Sequence, residues 1–401
     1  NINYREENQI DRLTRLGLFK DPVPRPAPIP SPQDTSQSLQ ARARSYLALN
    51  CSTCHRPQGG GTANFNFDIT LPLADNKYVD APPAQGTFEI ADARVVAPGD
   101  PFRSVLLYRA LKSGRGHMPQ FGSNVIDRQG IRLLRDWIRS MSSEQTTPSG
   151  QTTTEASSWS ERIHELKSID GSEKLDQKLA AMLKSTPNAI ALSLACSDPD
   201  LSDQLRQRII QTGIENAQPM IRDLFEHYLP EEQRIKRLGP TIDEQTLLTL
   251  TGSPERGQQL FELAEDVNCR LCHRIGSVGQ AVGPDLSGIG TQQTAAELLT
   301  SLVRPSEKID SKYRTLQVLT LDGEVITGIV VEETSEQLKL VYATGKAREI
   351  ATDDIELIQP LSKSVMPEQL LSGMTAAQAA DLLAYLGAQR KIGPLQHNQA
   401  T

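Results

Sequence analysis

The 401-residue chain carries a formal net charge of −7 at neutral pH, and 4% of its residues are aromatic. Such a length predicts two to four domains rather than one core, and the acidic balance, with no Lys/Arg block or basic helix, argues against nucleic acid as a partner. No run of 18 apolar residues occurs, which excludes a transmembrane helix.

The chain starts at Asn1 with neither Met nor a signal peptide, which predicts a processed mature form or a fragment of something longer. Residues 1–35 are expected as an extended lead segment, Pro-rich over 21–33 (DPVPRPAPIPSPQ). A helix over 36–49 runs into "NCSTCHRPQG" at 50–59. After a long stretch punctuated by Gly and Pro, apolar residues at helical spacing predict a helix over 125–141. Residues 142–158 (SSEQTTPSGQTTTEASS) have almost no apolar content and read as a flexible linker and domain boundary. Helical patterns at 159–168, 172–184, 188–195, 200–216 and 218–227 then fill a middle domain, 159–247, resembling a small stack of helix pairs. Ser253 as N-cap and Pro254 at the first helical position open a helix in "GSPERGQQLFEL" (252–263). That helix leads into "NCRLCHRIGS" at 268–277. From 313 to 358 the pattern changes to five short β-branched strands, with Asp322-Gly323 as a type I′ hairpin signal, which predicts a small SH3-like or Sm-like barrel. A helix over 375–388 precedes a tail at 391–401.

Cys-x-x-Cys-His thus occurs twice, as Cys51, Cys54 and His55 and as Cys269, Cys272 and His273. It is the attachment signature of a c-type haem, in which two thiols add across two vinyl groups and the next residue offers its imidazole to the iron. Three other readings compete. Disulfides suit an exported chain but give no reason for a His after each pair; with six His, chance fills both positions about 2 times in 10,000. A structural zinc site would place its pairs tens of residues apart, not about 215. A thioredoxin-like redox site needs a βαβ context, which neither copy has. Two covalently bound haem c groups are therefore the expected cofactors, and buried porphyrin would supply apolar volume that the scarce aromatics do not.

An electron-transfer haem takes a second axial ligand, usually Met. Met118 and Met366 are each followed by Pro, one downstream of each motif and ahead of a terminal helix. Pro biases the preceding residue to extended backbone, which helps hold the thioether on a fixed loop. His117 is the rival at the first haem, through bis-His ligation. Met141, Met182, Met220 and Met374 fit core positions on apolar helix faces. Cys196, in "AIALSLACS", reads as a buried, inert thiol, and His164, His227 and His397 as ordinary surface or helix-end residues.

Helix, Cys-x-x-Cys-His, Gly-Pro-x-Leu, Met-Pro and terminal helix is the order of class I cytochrome c domains. "VGPDLSGIG" (282–290) resembles the segment whose Pro, here Pro284, supports the proximal His. Residues 222–388, with "RGQQLF", "VRPSEKID", "DGEVITGIVVEET", "SVMPEQL" and "DLLAYL", resemble the haem-binding domain of planctomycete and verrucomicrobial type. In that family a β-barrel is inserted between the Gly-Pro segment and the axial Met. Residues 1–141, with "ARARSYLALNCSTCHRPQGGG", "IADARVVAPGDPFRSVLLYRA" and "HMPQFGS", resemble a second bacterial cytochrome c-like family. This half departs from the class I pattern: its loop from 56 to 117 is longer, and no Gly-Pro-x-Leu follows His55 at the usual distance.

The resemblance implies a mainly α fold, with cytochrome c domains over 36–141 and 248–390, the second carrying a barrel over 313–359. It implies His55, Met118, His273 and Met366 as iron ligands. With both faces of each iron occupied, outer-sphere electron transfer is expected rather than bond-making, and no catalytic residue. The expectation is a soluble dihaem cytochrome c, periplasmic or otherwise exported, relaying single electrons between a donor and an acceptor redox protein. It would stand alone or serve as a module of a larger membrane or dehydrogenase complex. The alternative is a dihaem peroxidase with one open haem site. Acidic residues on the strands (Asp322, Glu324, Glu332, Glu333, Glu336) favour bracing or protein docking over RNA as the barrel's role.

Overall fold

The computed structural model describes residues 9–19, 21, 28–56, 65–119, 125–141, 155–169, 171–263, 269–342 and 347–390. Residues 22–27 of the Pro-rich lead, the linker up to 154 and the 391–401 tail lie outside the described residues. The lead segment is not extended throughout. Gln9–Arg15 forms a helix, α1, with Asp11 in its first turn and Arg12 and Arg15 in its last, charges that suit the helix dipole.

Helix α2 (Leu39–Asn50) begins at Ser38, whose hydroxyl accepts from the Ala41 N–H, and ends at Cys51. Helix α3 (Val105–Leu111) and α4 (Arg128–Ser140) follow, the latter capped by the Asp127 carboxylate. Helices α2 and α4 cross at Gly130, where a Cβ would lie 2.2 Å from the Tyr46 ring. The expected linker is in part helical, because α5 (Glu155–Lys167) starts inside it. Then come α6 (Ser172–Met182), α7 (Thr186–Ala195), α8 (Asp203–Ile214) and α9 (Pro219–Arg222). The helix expected over 218–227 breaks into α9 and a 3₁₀ turn, Glu226–Tyr228. One apolar core runs from Ala43 and Leu47 through Tyr108 and Trp137 to Leu192, Ile209 and Phe225. The segments on either side of the linker therefore pack together, and Thr186 Oγ1 donates to the Phe88 carbonyl at 2.8 Å and Tyr108 OH to the Met220 carbonyl at 3.0 Å.

The second half begins with α10 (Glu244–Leu248) and α11 (Pro254–Leu263), and Ser253 Oγ accepts from the Arg256 N–H as its sequence position implied. A two-stranded hairpin, β1 (Arg274–Ile275) and β2 (Val278–Gly279), follows the second motif, and a capping box at Thr294 and Glu297 opens α12 (Ala295–Val303). Five strands then form one antiparallel sheet: β3 (Thr315–Thr320), β4 (Val325–Glu333), β5 (Gln337–Val341), β6 (Ala347–Ala351) and β7 (Ile355–Leu361). Their order is β6-β5-β4-β3-β7, so the last strand returns to pair with the first. Leu316, Val318, Leu338 and Leu340, two apart on their strands, point into a small core of the sheet's own.

The β3–β4 turn is not type I′. Gly323 alone has positive φ (+83°), and its N–H donates to the Thr320 carbonyl at 2.9 Å, so Leu321 and Asp322 are the turn's centre and Gly323 the left-handed residue after it. Helix α13 (Ala376–Gly387) ends the described chain and crosses α11 at Gly257, where a Cβ would lie 2.0 Å from the Asp381 carbonyl oxygen. Thirteen α-helices and two sheets among the described residues make the content mixed α and β rather than mainly α. Among those residues no helix is long and apolar enough to cross a membrane.

Candidate functional site

Both Cys-x-x-Cys-His segments fold into the same turn. In each, the His N–H donates to the carbonyl of the first Cys at 2.9 Å and the second Cys N–H to the same carbonyl at 3.2 Å. None of the five cysteines is in a disulfide. Among the described residues, no three His, Cys, Asp or Glu side chains converge on a point that a metal ion could occupy.

After His273 the chain reverses through β1 and β2 and folds back over the motif. Gly279 has φ +97°, and a Cβ there would lie 2.1 Å from the His273 carbonyl oxygen, so both conformation and space call for glycine. The Val282 and Gly283 N–H groups donate to the Cys272 carbonyl at 3.0 and 2.7 Å, and Arg274 pairs with Asp285 at 2.8 Å. These contacts set the Pro284 carbonyl 2.9 Å from His273 Nδ1. A carbonyl only accepts, so Nδ1 carries the proton and Nε2 presents its lone pair. Burial lowers the proton affinity of this imidazole, and the Pro284 hydrogen bond offsets part of that effect. Gly283 lies against the ring, where a Cβ would be 2.9 Å from Cε1. Met366 and Cys269, both half-buried, pack on one apolar cluster with Phe261, Leu371 and Leu382. The Met366 N–H is held by Ser364 Oγ at 3.1 Å, and the Ser364 N–H by Ser306 Oγ at 3.2 Å. Burial raises the pKa of the Cys272 thiol.

The first motif is supported differently. The Arg44 guanidinium on α2 donates to the carbonyls of Asp68 (3.3 Å), Ile69 (3.1 Å) and Leu71 and to Asn76 Oδ1 (3.2 Å), clamping the loop that follows the motif. Phe67 N–H donates to the His55 carbonyl at 2.8 Å. Phe65 stacks on the His55 ring at 5.0 Å, Phe67 meets its edge at 5.5 Å, and Tyr78 joins Phe67 to Trp137. A chain of aromatic rings thus runs from this imidazole to Trp137. His55 Nδ1 is buried and has no hydrogen-bond partner among the described residues, so no carbonyl there plays the part of Pro284; residues 57–64 lie outside them. Burial, and then the Arg109 guanidinium, lower its proton affinity.

Arg109 also reaches the Met118 loop. It donates to the carbonyls of Gly116 (3.0 Å) and Gln85 (2.5 Å), lies 4.7 Å over the Phe88 ring, and its own carbonyl accepts from the Met118 N–H at 3.0 Å. Met118 is half-buried. Cys54 is exposed, and the half-buried Cys51 thiol is pushed up to about 12 by burial and then by Cys54.

Sequence reasoning missed Arg44 and Arg109, because each acts on a loop distant in sequence that no local pattern marks. His227, expected as a surface or helix-end residue, lies in the 3₁₀ turn Glu226–Tyr228 and is half-buried. Both its ring nitrogens are buried with no hydrogen-bond partner among the described residues, and burial, Arg128, Arg234 and the neighbouring His117 push its pKa down to about 3. His164 is exposed, and His397 lies outside the described residues. Cys196 is buried, its thiol pushed up to about 12 by burial, and Met182 and Met374 are buried core residues. A cavity of about 320 Å³ between Arg128, Arg132, Arg206, Cys196 and Tyr228 contains no motif residue. Its guanidiniums are engaged with the Ser197, Asp198 and Leu201 carbonyls, Asp203 and the Tyr228 ring, so it reads as a packing junction. No known protein family and no curated protein matches the chain.

Proposed function

We propose that the chain is a dihaem c-type cytochrome that relays single electrons between redox proteins outside the cytoplasm, with class I cytochrome c-like domains over 36–141 and 248–390. The observation that carries this reading is the His273 imidazole, tethered through Nδ1 to the Pro284 carbonyl at 2.9 Å. Such a hydrogen bond fixes the tautomer and orientation of a metal-ligating imidazole. Cys51 and Cys54 would hold one haem and Cys269 and Cys272 the other, with His55 and Met118, and His273 and Met366, as the side chains that would ligate the two irons. Conversion to thioethers suits thiols whose ionisation burial already opposes, because a thioether carries no charge. The Met-Pro context that Met118 shares with Met366 favours it over His117 as the second iron ligand at the first site.

When bound, each haem supplies a one-electron iron couple, which a methionine ligand raises in potential. The chain's own part is to orient two imidazoles, keep two thioethers on anchored loops and line both sites with apolar residues. Partners are a donor and an acceptor protein, or the rest of a larger membrane or dehydrogenase complex.

Pyridine haemochrome assay with intact mass tests the proposal. Two haems per chain are expected, and one remains after Cys51→Ala with Cys54→Ala, or after Cys269→Ala with Cys272→Ala. Both irons should be low-spin in both oxidation states. Fewer than two haems, or a high-spin iron that turns over peroxide, overturns the relay; the latter favours the peroxidase.

A further inference from the structure

Between the two methionine-bearing loops lies a set of buried charges that ligation does not require. Lys112, at the end of α3, is 1% exposed; its Nζ lies 3.4 Å from Asp223 Oδ2 and donates to the Arg115 carbonyl. Asp223 also accepts the Ser113 N–H on its backbone carbonyl at 2.8 Å. Glu226, 2% exposed, accepts Arg237 through both carboxylate oxygens at 2.9 and 2.5 Å and the Ile235 N–H at 2.6 Å. Arg237 reaches Asp223 as well, at 3.4 Å, and lies against Gly114, where a Cβ would be 2.4 Å from its Nε.

The backbone just beyond Arg237 grips the other half. Leu238 N–H donates to the Met374 carbonyl and Gly239 N–H to the Ser372 carbonyl, both at 2.9 Å. Between those acceptors, Gly373 sits where a Cβ would be 2.8 Å from Arg115 Cα. Segment 235–239 therefore meets the 112–118 loop where Arg237 packs on Gly114 and shares Asp223 with Lys112, and it binds the 366–374 loop through its backbone.

We infer that the Lys112–Asp223–Arg237–Glu226 cluster is a lock that holds the Met118 and Met366 loops against each other, so that the two centres form one unit of fixed separation and not two independent carriers. The redox half of this inference rests on the relay reading; the lock does not. Buried ion pairs are poor sources of stability against apolar replacements, yet losing one partner strands a charge, so such clusters suit a contact whose register matters.

Hydrogen exchange on the full chain reads the lock. The Leu238 and Gly239 amides are expected to be protected, and Arg237→Gln should cost them about a hundredfold or more in protection. If that variant folds poorly, Gly373→Ala opens the same contact without altering a charge and should act likewise, while Arg237→Lys restores part of the protection. In the holoprotein the two couples should titrate as an interacting pair in the wild type and independently in Arg237→Gln, with methionine ligation retained at both irons. Rapid exchange at both amides in the wild type, or protection and titration unchanged in both variants, overturns the inference. A haem count below two ends the relay reading while leaving the amide result to stand by itself.

Discussion

The crossing of α11 and α13 offers a sharp test of how the second site is built. A Cβ at Gly257 would lie 2.0 Å from the Asp381 carbonyl oxygen and 2.6 Å from Tyr385 Cβ. The obstacle is helix backbone, which no rotamer change can clear. Restoring an ordinary contact moves the helices apart by about 1.2 Å, and overpacking of this kind costs about 3 kcal/mol, of which the better helix propensity of Ala returns up to about 1 kcal/mol. Gly257→Ala should therefore lose about 2 kcal/mol net, and at a urea slope of about 2 kcal/mol/M its midpoint should fall by about 1 M. The same shift separates Phe261 from Tyr385, whose ring centroids are 5.8 Å apart, and disturbs the cluster on which Cys269 and Met366 pack. Gly387 is the control, since an added Cβ there meets nothing within 4 Å; Gly387→Ala should be neutral or gain about 0.5 kcal/mol. Urea unfolding followed by far-UV circular dichroism measures both. Equal midpoints for Gly257→Ala and the wild type would refute the claim that close backbone approach sets this crossing.

Gly283→Ala places a methyl 2.9 Å from His273 Cε1 and should cost about 1 kcal/mol. Imidazole ¹⁵N spectra should then lose the single Nδ1–H tautomer; an unchanged tautomer would show that the Gly283 contact does not hold the ring. Asp381 accepts from the Ser253 N–H and pairs with Arg256, each at 2.7 Å. Burial raises its pKa, but these partners outweigh it and hold the carboxyl below the usual carboxylate range. The stabilisation is therefore complete above about pH 4 and lost as pH falls through the lower folded-state value. Because Arg256 is 63% exposed, Asp381→Asn should cost only about 1–2 kcal/mol at neutral pH and flatten acid unfolding, which stability curves from pH 2 to 7 will check. Gly323→Ala meets no neighbour within 4 Å yet must hold φ +83°, so it should cost about 1–2 kcal/mol with no change in sheet content. Gly323→Asn should cost less, since Asn tolerates the left-handed region.

Much of the local structure was legible because its determinants lie within a few residues. Ser253 and Pro254 open α11 where their types require, and the five strands fall within three residues of their expected span. The pairing of Pro284 with His273 was expected only through the resemblance of residues 282–290 to the Gly-Pro-x-Leu segment of cytochrome c domains. Predictions failed where a residue's role depends on what arrives from far along the chain. His227 reads as a helix-end residue until Arg128 and Arg234 bring their charges to it.

By itself, then, the amino-acid order determined the chemistry available at each motif: two thiols and an imidazole on one turn, repeated, with a Met-Pro downstream. Tertiary structure alone decided how those pieces are supported and joined. His55 is braced by aromatic rings and His273 by a carbonyl, and Lys112, Asp223, Glu226 and Arg237 become a buried junction between the two halves. The physical reason is that hydrogen-bond turns and caps close over a few residues, whereas the burial of a charge is a property of everything that packs around it.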